Sequence, residues 1–193
     1  MLFYIFNIIH FYYQSFIEIQ ELVEKITYSK IIFLVLIAAY VLNCVLHPYE
    51  YHFIDGVNVL FHEAGHPIFG LFGNEFLMVM GGTLGQLIMP LIVVFYFFFT
   101  GQRYSSAIAG LWFSENFFPI SVYAKDARAM ELPLVGNGDR IHDWNYMLDR
   151  LNLLSQDQRI GNIIHDTGLI FAAIFFLVGI WYSRATVSEA VIA

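Results

Sequence analysis

Three residues within one short stretch have the types and spacing of a metal site with a neighbouring base. The sequence reads His62-Glu63-Ala64-Gly65-His66, an H-E-x-x-H pattern. Residues four apart lie on the same face of an α-helix, so both imidazoles can reach one ion. Glu63 is rotated by about 100° from His62, which places its carboxylate beside the ion, where it can accept a proton from a bound water. The pattern therefore predicts a zinc site and a general base on one helix.

The apolar surroundings of this pattern favour a metal site over a surface helix with two stray histidines. The flanking residues include Phe61, Ile68, Phe69, Leu71 and Phe72. Two imidazoles and a carboxylate are costly in apolar surroundings unless a partner binds them, and a metal ion is such a partner. A catalytic zinc takes three protein ligands and one water. The residues that could supply the third ligand are Glu115, Asp126, His142, Asp143 and Asp166.

The composition predicts an integral membrane protein in contact with the lipid bilayer. Of the 193 residues, 59% are hydrophobic and 13% are charged, whereas soluble domains have about 25% charged residues. The net charge of −7, with no basic patch and no glycine-rich phosphate loop, excludes a nucleic-acid partner. The single cysteine, Cys44, cannot form a disulfide within the chain.

The long apolar runs predict an all-α polytopic membrane protein with about five to six transmembrane helices. Residues 1–29 are predicted to form an amphipathic segment at the membrane interface. Residues 30–193 are predicted to form a single transmembrane domain. Within it we expect a core at 55–128, a cytoplasmic loop at 125–159 and a final helix at 156–183. The distribution of Lys and Arg over five spans favours a cytoplasmic N-terminus.

Two further stretches have features that are unusual for a membrane helix. Residues 74–84 contain Gly81-Gly82 and predict a short extended or hairpin segment. Irregular backbone at membrane depth is tolerated where it lines a cavity, so we expect this segment beside the metal site, where its edge could pair with a substrate. The span predicted at 104–124 carries Glu115 and Asn116, which are functional candidates because they are polar residues in an apolar helix.

The order of these motifs resembles the site-2 protease (M50) family of intramembrane zinc metalloproteases. In that family an H-E-x-x-H helix is followed by a glycine-rich turn and by a helix with Asn-x-x-Pro before an aspartate. The residues that carry the resemblance are His62, Glu63, His66, Gly82-Thr83-Leu84-Gly85-Gln86, Asn116-Phe117-Phe118-Pro119-Ile120 and Asp126. Gln86 replaces the family's asparagine, and Asp126-Ala127 replaces its Asp-Gly. These departures indicate a divergent, M50B-like branch.

The resemblance implies a role for each matching residue. Asp126 would be the third ligand of one zinc ion per chain, Glu63 would be the catalytic base, and Asn116 would hold the substrate carbonyl. The pair His142 and Asp143 remains the alternative source of the third ligand, because an interfacial helix that carries it could fold back over the site.

The predicted function is hydrolysis of peptide bonds in transmembrane or membrane-proximal substrates. The partner is then a transmembrane protein or peptide, and a separate regulatory partner could add to its recognition. Two alternatives stay open, namely a zinc-dependent membrane hydrolase of a non-peptide substrate and a catalytically silent scaffold or chaperone with the same fold. The intact Glu63 favours an enzyme, since a scaffold needs no base.

Overall fold

The computed structural model of the protein describes residues 2–132 and 142–184, and for residues 2–9, 24 and 25 it describes the backbone alone. Every regular element within these ranges is helical, which confirms the all-α prediction. The helices are α1 (Leu2–Leu46), α2 (Phe53–Gly70), α3 (Glu75–Phe99), α4 (Arg103–Glu115), α5 (Phe117–Lys125), α6 (Asp143–Arg150) and α7 (Asp157–Tyr182). A 3₁₀ turn at Leu154–Gln156 leads into α7.

Three helices in the described ranges are long and apolar enough to cross a membrane. They are the His10–Leu46 part of α1, α3, and the Leu154–Tyr182 stretch that ends with α7. The predicted five to six spans are therefore not confirmed. The stretch 104–124, expected as one span, is divided into α4 and α5 at Asn116. Pro119 accounts for the division, because it has no N–H to donate to the carbonyl of Glu115.

The structure gives helices at both ends of the predicted domain map. The final helix was expected at 156–183, and α7 spans Asp157–Tyr182. The segment predicted at residues 1–29 lies, from Leu2 onwards, within α1, which runs to Leu46. Its place at the membrane interface stays a prediction.

The extended or hairpin segment predicted at residues 74–84 is wrong. The Asn74 side chain accepts a hydrogen bond from the backbone N–H of Leu77 at 3.0 Å, and α3 begins directly after this cap. The glycines that indicated a turn lie inside α3 instead. There they face α2, and their lack of a side chain lets the two helix backbones approach closely.

Non-helical backbone beside the site is found between α1 and α2, at residues 47–52. Pro48 follows the end of α1, in agreement with the exclusion of helical geometry before a proline. The Tyr40 hydroxyl accepts a hydrogen bond from the backbone N–H of Ile54 at 3.1 Å. Since Tyr40 lies within α1, the chain turns back along α1 before α2 begins.

The helix contacts place the middle of α1, the start of α4 and the last turn of α7 at the same end of the bundle. The Tyr104 hydroxyl donates to the backbone carbonyl of Lys30 at 2.5 Å, and Gly179 lies against Leu34. Lys125 contacts Gly161 at the opposite end. The five-span topology had put Lys30 and the neighbour of Tyr104, Arg103, on opposite sides. The cytoplasmic N-terminus was expected from that five-span topology, and the orientation stays a prediction.

Glycines at facing positions of α2 and α3 form a close contact between these two helices. A Cβ on Gly65 would collide with the carbonyl group of Gly81, and a Cβ on Gly81 would lie 2.6 Å from the carbonyl oxygen of Gly65. A Cβ on Gly85 would collide with the carbonyl oxygen of Phe61. These contacts involve backbone on both sides, so a larger residue would force the helices apart.

We expect Gly65→Ala to destabilise the protein by about 1–3 kcal/mol, because the added methyl group presses on backbone that cannot rotate away. Gly70→Ala is the matched control in the same helix, since its methyl group would meet the flexible side chain of Met78 at 3.3 Å. Thermal unfolding in detergent micelles measures the difference between the two midpoints. Equal midpoints would contradict the close contact.

Candidate metal site and its cavity

Three side chains from distant parts of the chain converge on one point, and we call them the metal-site cluster: His62 and His66 from α2, and Asp143 from the start of α6. Asp143 Oδ2 lies 3.0 Å from His62 Nε2 and 3.4 Å from His66 Nε2. One ligand atom of each residue lies within 4.8 Å of the other two. Ligand atoms at zinc-bond length in a tetrahedral arrangement are about 3.3 Å apart. The observed spacing is therefore suitable for one zinc ion.

The second nitrogen of each imidazole faces an oxygen atom on α3. His66 Nδ1 lies 3.0 Å from the backbone carbonyl oxygen of Met78, and His62 Nδ1 lies 3.3 Å from Gln86 Oε1. Histidines that bind metals commonly donate their other N–H to a carbonyl or carboxylate oxygen, which fixes the tautomer and the orientation of the ring. Both rings of the cluster have this arrangement.

The hydrogen bond between His66 and the carbonyl of Met78 indicates which ring nitrogen is free to bind a cation. A backbone carbonyl can only accept, so the proton of a neutral His66 ring is on Nδ1. Nε2 then directs its lone pair at the Asp143 carboxylate 3.4 Å away, which is also an acceptor. Two facing acceptors repel unless a proton or a metal ion lies between them. Two imidazoles and one carboxylate match the ligand set of catalytic zinc sites, so the residues fit this ion.

Gly82 of α3 leaves the space that the two imidazoles occupy. A Cβ at this position would lie 2.5 Å from His62 Nε2 and 2.7 Å from His66 Cε1. Any other residue would therefore displace the nitrogen that faces Asp143.

Asp143 is mostly buried, with 9% of its side chain exposed. Burial raises the pKa of its carboxyl group, whereas hydrogen bonds from His62 and His66, when these rings carry a proton on Nε2, lower that pKa below its usual value. A positive partner at this position, a proton on a ring or a metal ion, therefore favours the ionised carboxylate.

Asp126, the predicted third ligand, does not lie beside the two imidazoles. Its Oδ2 accepts from His142 Nε2 at 3.1 Å and from the backbone N–H of Leu132 at 3.0 Å. Its Oδ1 accepts from the backbone N–H of Glu131 at 3.0 Å. Three donors therefore use this carboxylate, and Asp143, the alternative that the sequence left open, takes the position next to the imidazoles.

His142, the other alternative ligand, holds the first turn of α6 in place. Its Nδ1 accepts from the backbone N–H of Asn145 at 3.1 Å, so its Nε2 carries the proton that it donates to Asp126. Its ring lies 4.3 Å from the ring of Tyr123, measured between centroids. The Tyr123 hydroxyl accepts from the backbone N–H of Asp143 at 3.0 Å. These contacts fix the direction of the Asp143 side chain.

A cavity of about 600 Å³ opens onto the metal-site cluster. All three cluster residues line it, and so does Glu63, the predicted base. The other lining residues come from the α1–α2 connection (Pro48, Tyr49, Glu50, Tyr51), α2 (Asp55, Asn58, Val59), α3 (Met78, Val79, Gln86), α5 (Pro119, Ile120, Val122, Tyr123) and Leu132. The cavity is large enough to hold several side chains of a peptide.

The other polar candidates lie away from the cluster. Asn116 does not line the cavity, and its Nδ2 donates to the backbone carbonyl of Trp112 at 2.9 Å, where α4 ends. Glu115 is buried and accepts from Asn58 Nδ2 at 2.8 Å. Asp166 is 72% exposed and pairs with the neighbouring His165. Asn116 is thus not among the residues that line the cavity, and its role in holding the substrate carbonyl stays a prediction.

Two cavity residues carry contacts that the sequence reasoning did not assign. Asn58 lies four residues before His62, on the same face of α2, and it connects the cavity wall to Glu115 and to the indole N–H of Trp112. Gln86 orients His62 from α3. Helical spacing from His62 could have indicated Asn58, and the match of Gln86 to the family asparagine could have indicated a polar role near the metal.

Comparisons of this chain with protein-family models, with curated proteins and with solved structures give no match. The resemblance to site-2 proteases therefore stays a prediction from the motifs within residues 55–128. In its described residues the protein is all-helical. Three of its helices are long and apolar enough to cross a membrane, and three side chains form a group suited to a metal ion.

We expect Asp143→Asn to lower the affinity for Zn²⁺ by more than about 100-fold, because it removes a charged ligand. Asp126→Asn leaves the three cluster residues in place but weakens the hydrogen bond that orients His142. It should therefore lower the affinity for Zn²⁺ by about 10–100-fold. Asp149→Asn, at an exposed position of α6, should bind like the wild type. Elemental analysis after equilibration with graded chelators measures all three. A greater loss in Asp126→Asn than in Asp143→Asn would make Asp126 the ligand.

Proposed function

We propose that this protein is an intramembrane zinc metalloprotease that hydrolyses peptide bonds of transmembrane or membrane-proximal substrates. The observation that carries the proposal is the convergence of His62, His66 and Asp143 on a cavity that Glu63 also lines. Three ligands with a neighbouring carboxylate form the arrangement by which zinc hydrolases activate water.

The position of the cluster along α3 supports cleavage below the membrane surface. Gly82, which faces both imidazoles, comes seven residues after the start of α3 at Glu75. With a rise of 1.5 Å per residue this is about 10 Å into a helix about 37 Å long. If α3 crosses a bilayer, the cluster lies roughly a quarter of the way across the membrane.

The α1–α2 connection supports access of water to that depth. Its residues Tyr49, Glu50 and Tyr51 are exposed and line the cavity. Non-helical backbone is tolerated within a membrane where it lines a water-filled cavity, since water then satisfies its polar groups. Hydrolysis needs such a path for water.

The residues of the cavity divide the chemistry between them. When bound, a zinc ion would polarise the scissile carbonyl and lower the pKa of the attacking water. The Glu63 carboxylate takes a proton from that water as its oxygen bonds to the carbonyl carbon. As the C–N bond breaks, Glu63 returns the proton to the leaving nitrogen.

Tyr123 replaces Asn116 as the candidate for holding the substrate carbonyl. It lines the cavity, and its hydroxyl is 3.0 Å from the backbone nitrogen of Asp143. Because the hydroxyl oxygen accepts from that N–H, its own proton is available to a carbonyl oxygen in the cavity.

We expect Glu63→Gln to lower peptide turnover by about 10²–10⁴-fold, because glutamine has the shape of glutamate but cannot take up a proton. Zinc content should stay at about one ion per chain. Glu18→Gln, at an exposed position of α1, is the matched control and should retain wild-type turnover. The measurements are cleavage of a transmembrane peptide in lipid nanodiscs and elemental analysis of the same samples.

The same experiment separates the alternatives. A zinc-loaded protein that cleaves no membrane peptide would contradict the protease and leave a hydrolase of another substrate. A protein that binds no zinc would contradict both enzymes. Unchanged cleavage by Glu63→Gln would show that Glu63 is not the base.

A further inference from the structure

The cavity carries carboxylates at both of its ends. Glu63 and Asp143 lie at the metal-site cluster, and Glu50 and Asp55 lie towards the α1–α2 connection. No lysine or arginine lines the cavity in the part of the chain that the structure describes. The carboxylates of Glu63 and Asp143 would offset the two charges of a bound zinc ion, which leaves Glu50 and Asp55 as the net negative charge of the cavity. A cleft with net charge and apolar walls concentrates ligands of the opposite sign. The part of the cavity at Glu50 and Asp55 is therefore suited to a substrate with positive charge.

The second pair of carboxylates has no part in the proposed hydrolysis. Asp55 lies two helical turns before His62 on the same face of α2, which is about 10 Å along the helix. Its Oδ2 accepts from the backbone N–H of His52 at 2.7 Å, and His52 Nδ1 lies 3.7 Å from the same oxygen. Asp55 thus also stabilises the start of α2, whereas Glu50 is in the exposed connection.

Two exposed tyrosines flank Glu50 at the same end of the cavity. Tyr49 is 77% exposed and Tyr51 is 75% exposed, and both line the cavity. Tyrosine rings this exposed are open to contact, and lysine and arginine side chains bind the faces of such rings. The two tyrosines thus add to the carboxylates a second kind of group that can bind a cation.

We propose that this end of the cavity, formed by Tyr49, Glu50, Tyr51 and Asp55, binds a lysine or arginine side chain of the substrate, about three residues from the bond that is cleaved. The distance follows from the 10 Å between Asp55 and His62, since an extended peptide advances about 3.3 Å per residue. The proposal rests on the proposed function for the position of the cleaved bond. The preference for a basic side chain is a property of binding and can be measured without cleavage.

The test uses the full chain in lipid nanodiscs and a set of apolar 20-residue peptides. Each peptide carries one lysine at a different position, and reference peptides carry norleucine or glutamate there. Binding is measured with the zinc-loaded Glu63→Gln variant, which keeps the peptides intact, and cleavage with the wild type. At the best position, lysine should bind about five- to tenfold more tightly than norleucine, and glutamate more weakly than norleucine.

Variants of Glu50 test whether this end of the cavity is responsible. Glu50→Gln should reduce the preference for lysine to about twofold, and Glu50→Lys should reverse it in favour of glutamate. Glu18→Gln makes the same chemical change outside the cavity and should keep the preference. Asp55 is not substituted, because it also caps α2.

Each outcome bears on one of the two proposals. Tighter binding of lysine peptides that depends on Glu50, without cleavage, would support the basic subsite and contradict the protease. Cleavage with equal binding of lysine and norleucine peptides would support the protease and overturn the subsite. A lysine preference that Glu50→Gln and Glu50→Lys leave unchanged would also overturn it. The subsite would also be overturned if lysine bound best next to the cleaved bond, since the proposal places it about three residues away.

Discussion

The close approach of α2 and α3 is the constraint on which the metal-site cluster depends. Gly65 and Gly81 let the two backbones touch, and this brings the carbonyl of Met78 within hydrogen-bond distance of His66. The same packing brings Gln86 to His62. Each imidazole is thereby held with its Nε2 turned towards Asp143. Larger residues between the helices would separate both rings from the oxygens that orient them.

The third member of the cluster depends on contacts that are remote in sequence, since Asp143 follows His62 by 81 residues. Asp126 contributes to this arrangement as a partner of His142. The chain of contacts runs from the Asp126 carboxylate through the His142 ring to the first turn of α6, and Asn145 adds a hydrogen bond to the carbonyl of Ala127 at 2.7 Å. An acidic residue near a metal site can thus act on the orientation of a ligand without contacting the metal.

The polar groups in the apolar core are paired in a way that leaves the cavity acidic. Glu115, 2% exposed, accepts from Asn58, and Asn58 in turn accepts from the indole N–H of Trp112 at 2.9 Å. This network satisfies a buried carboxyl group without adding a cation to the cavity wall. Glu50 and Asp55 consequently face the cavity without a neighbouring lysine or arginine among the described residues that line it. This negative charge is the physical basis of the proposed preference for a basic substrate segment.

Local patterns in the sequence were enough to predict the all-α class and the position of the final helix. They also placed His62, Glu63 and His66 on one helix. Periodicity and i,i+4 spacing are properties of a single helix, so they can be read without knowing how helices pack. Glycine was ambiguous. Gly81 and Gly82 indicated a turn within residues 74–84, whereas the structure has them inside α3 facing α2, since a small residue serves a turn and a helix contact equally well. Only the tertiary structure placed Asp143, rather than Asp126, next to the two imidazoles. This placement depends on how separate helices pack, and packing distances between helices are not encoded in the spacing within any one of them.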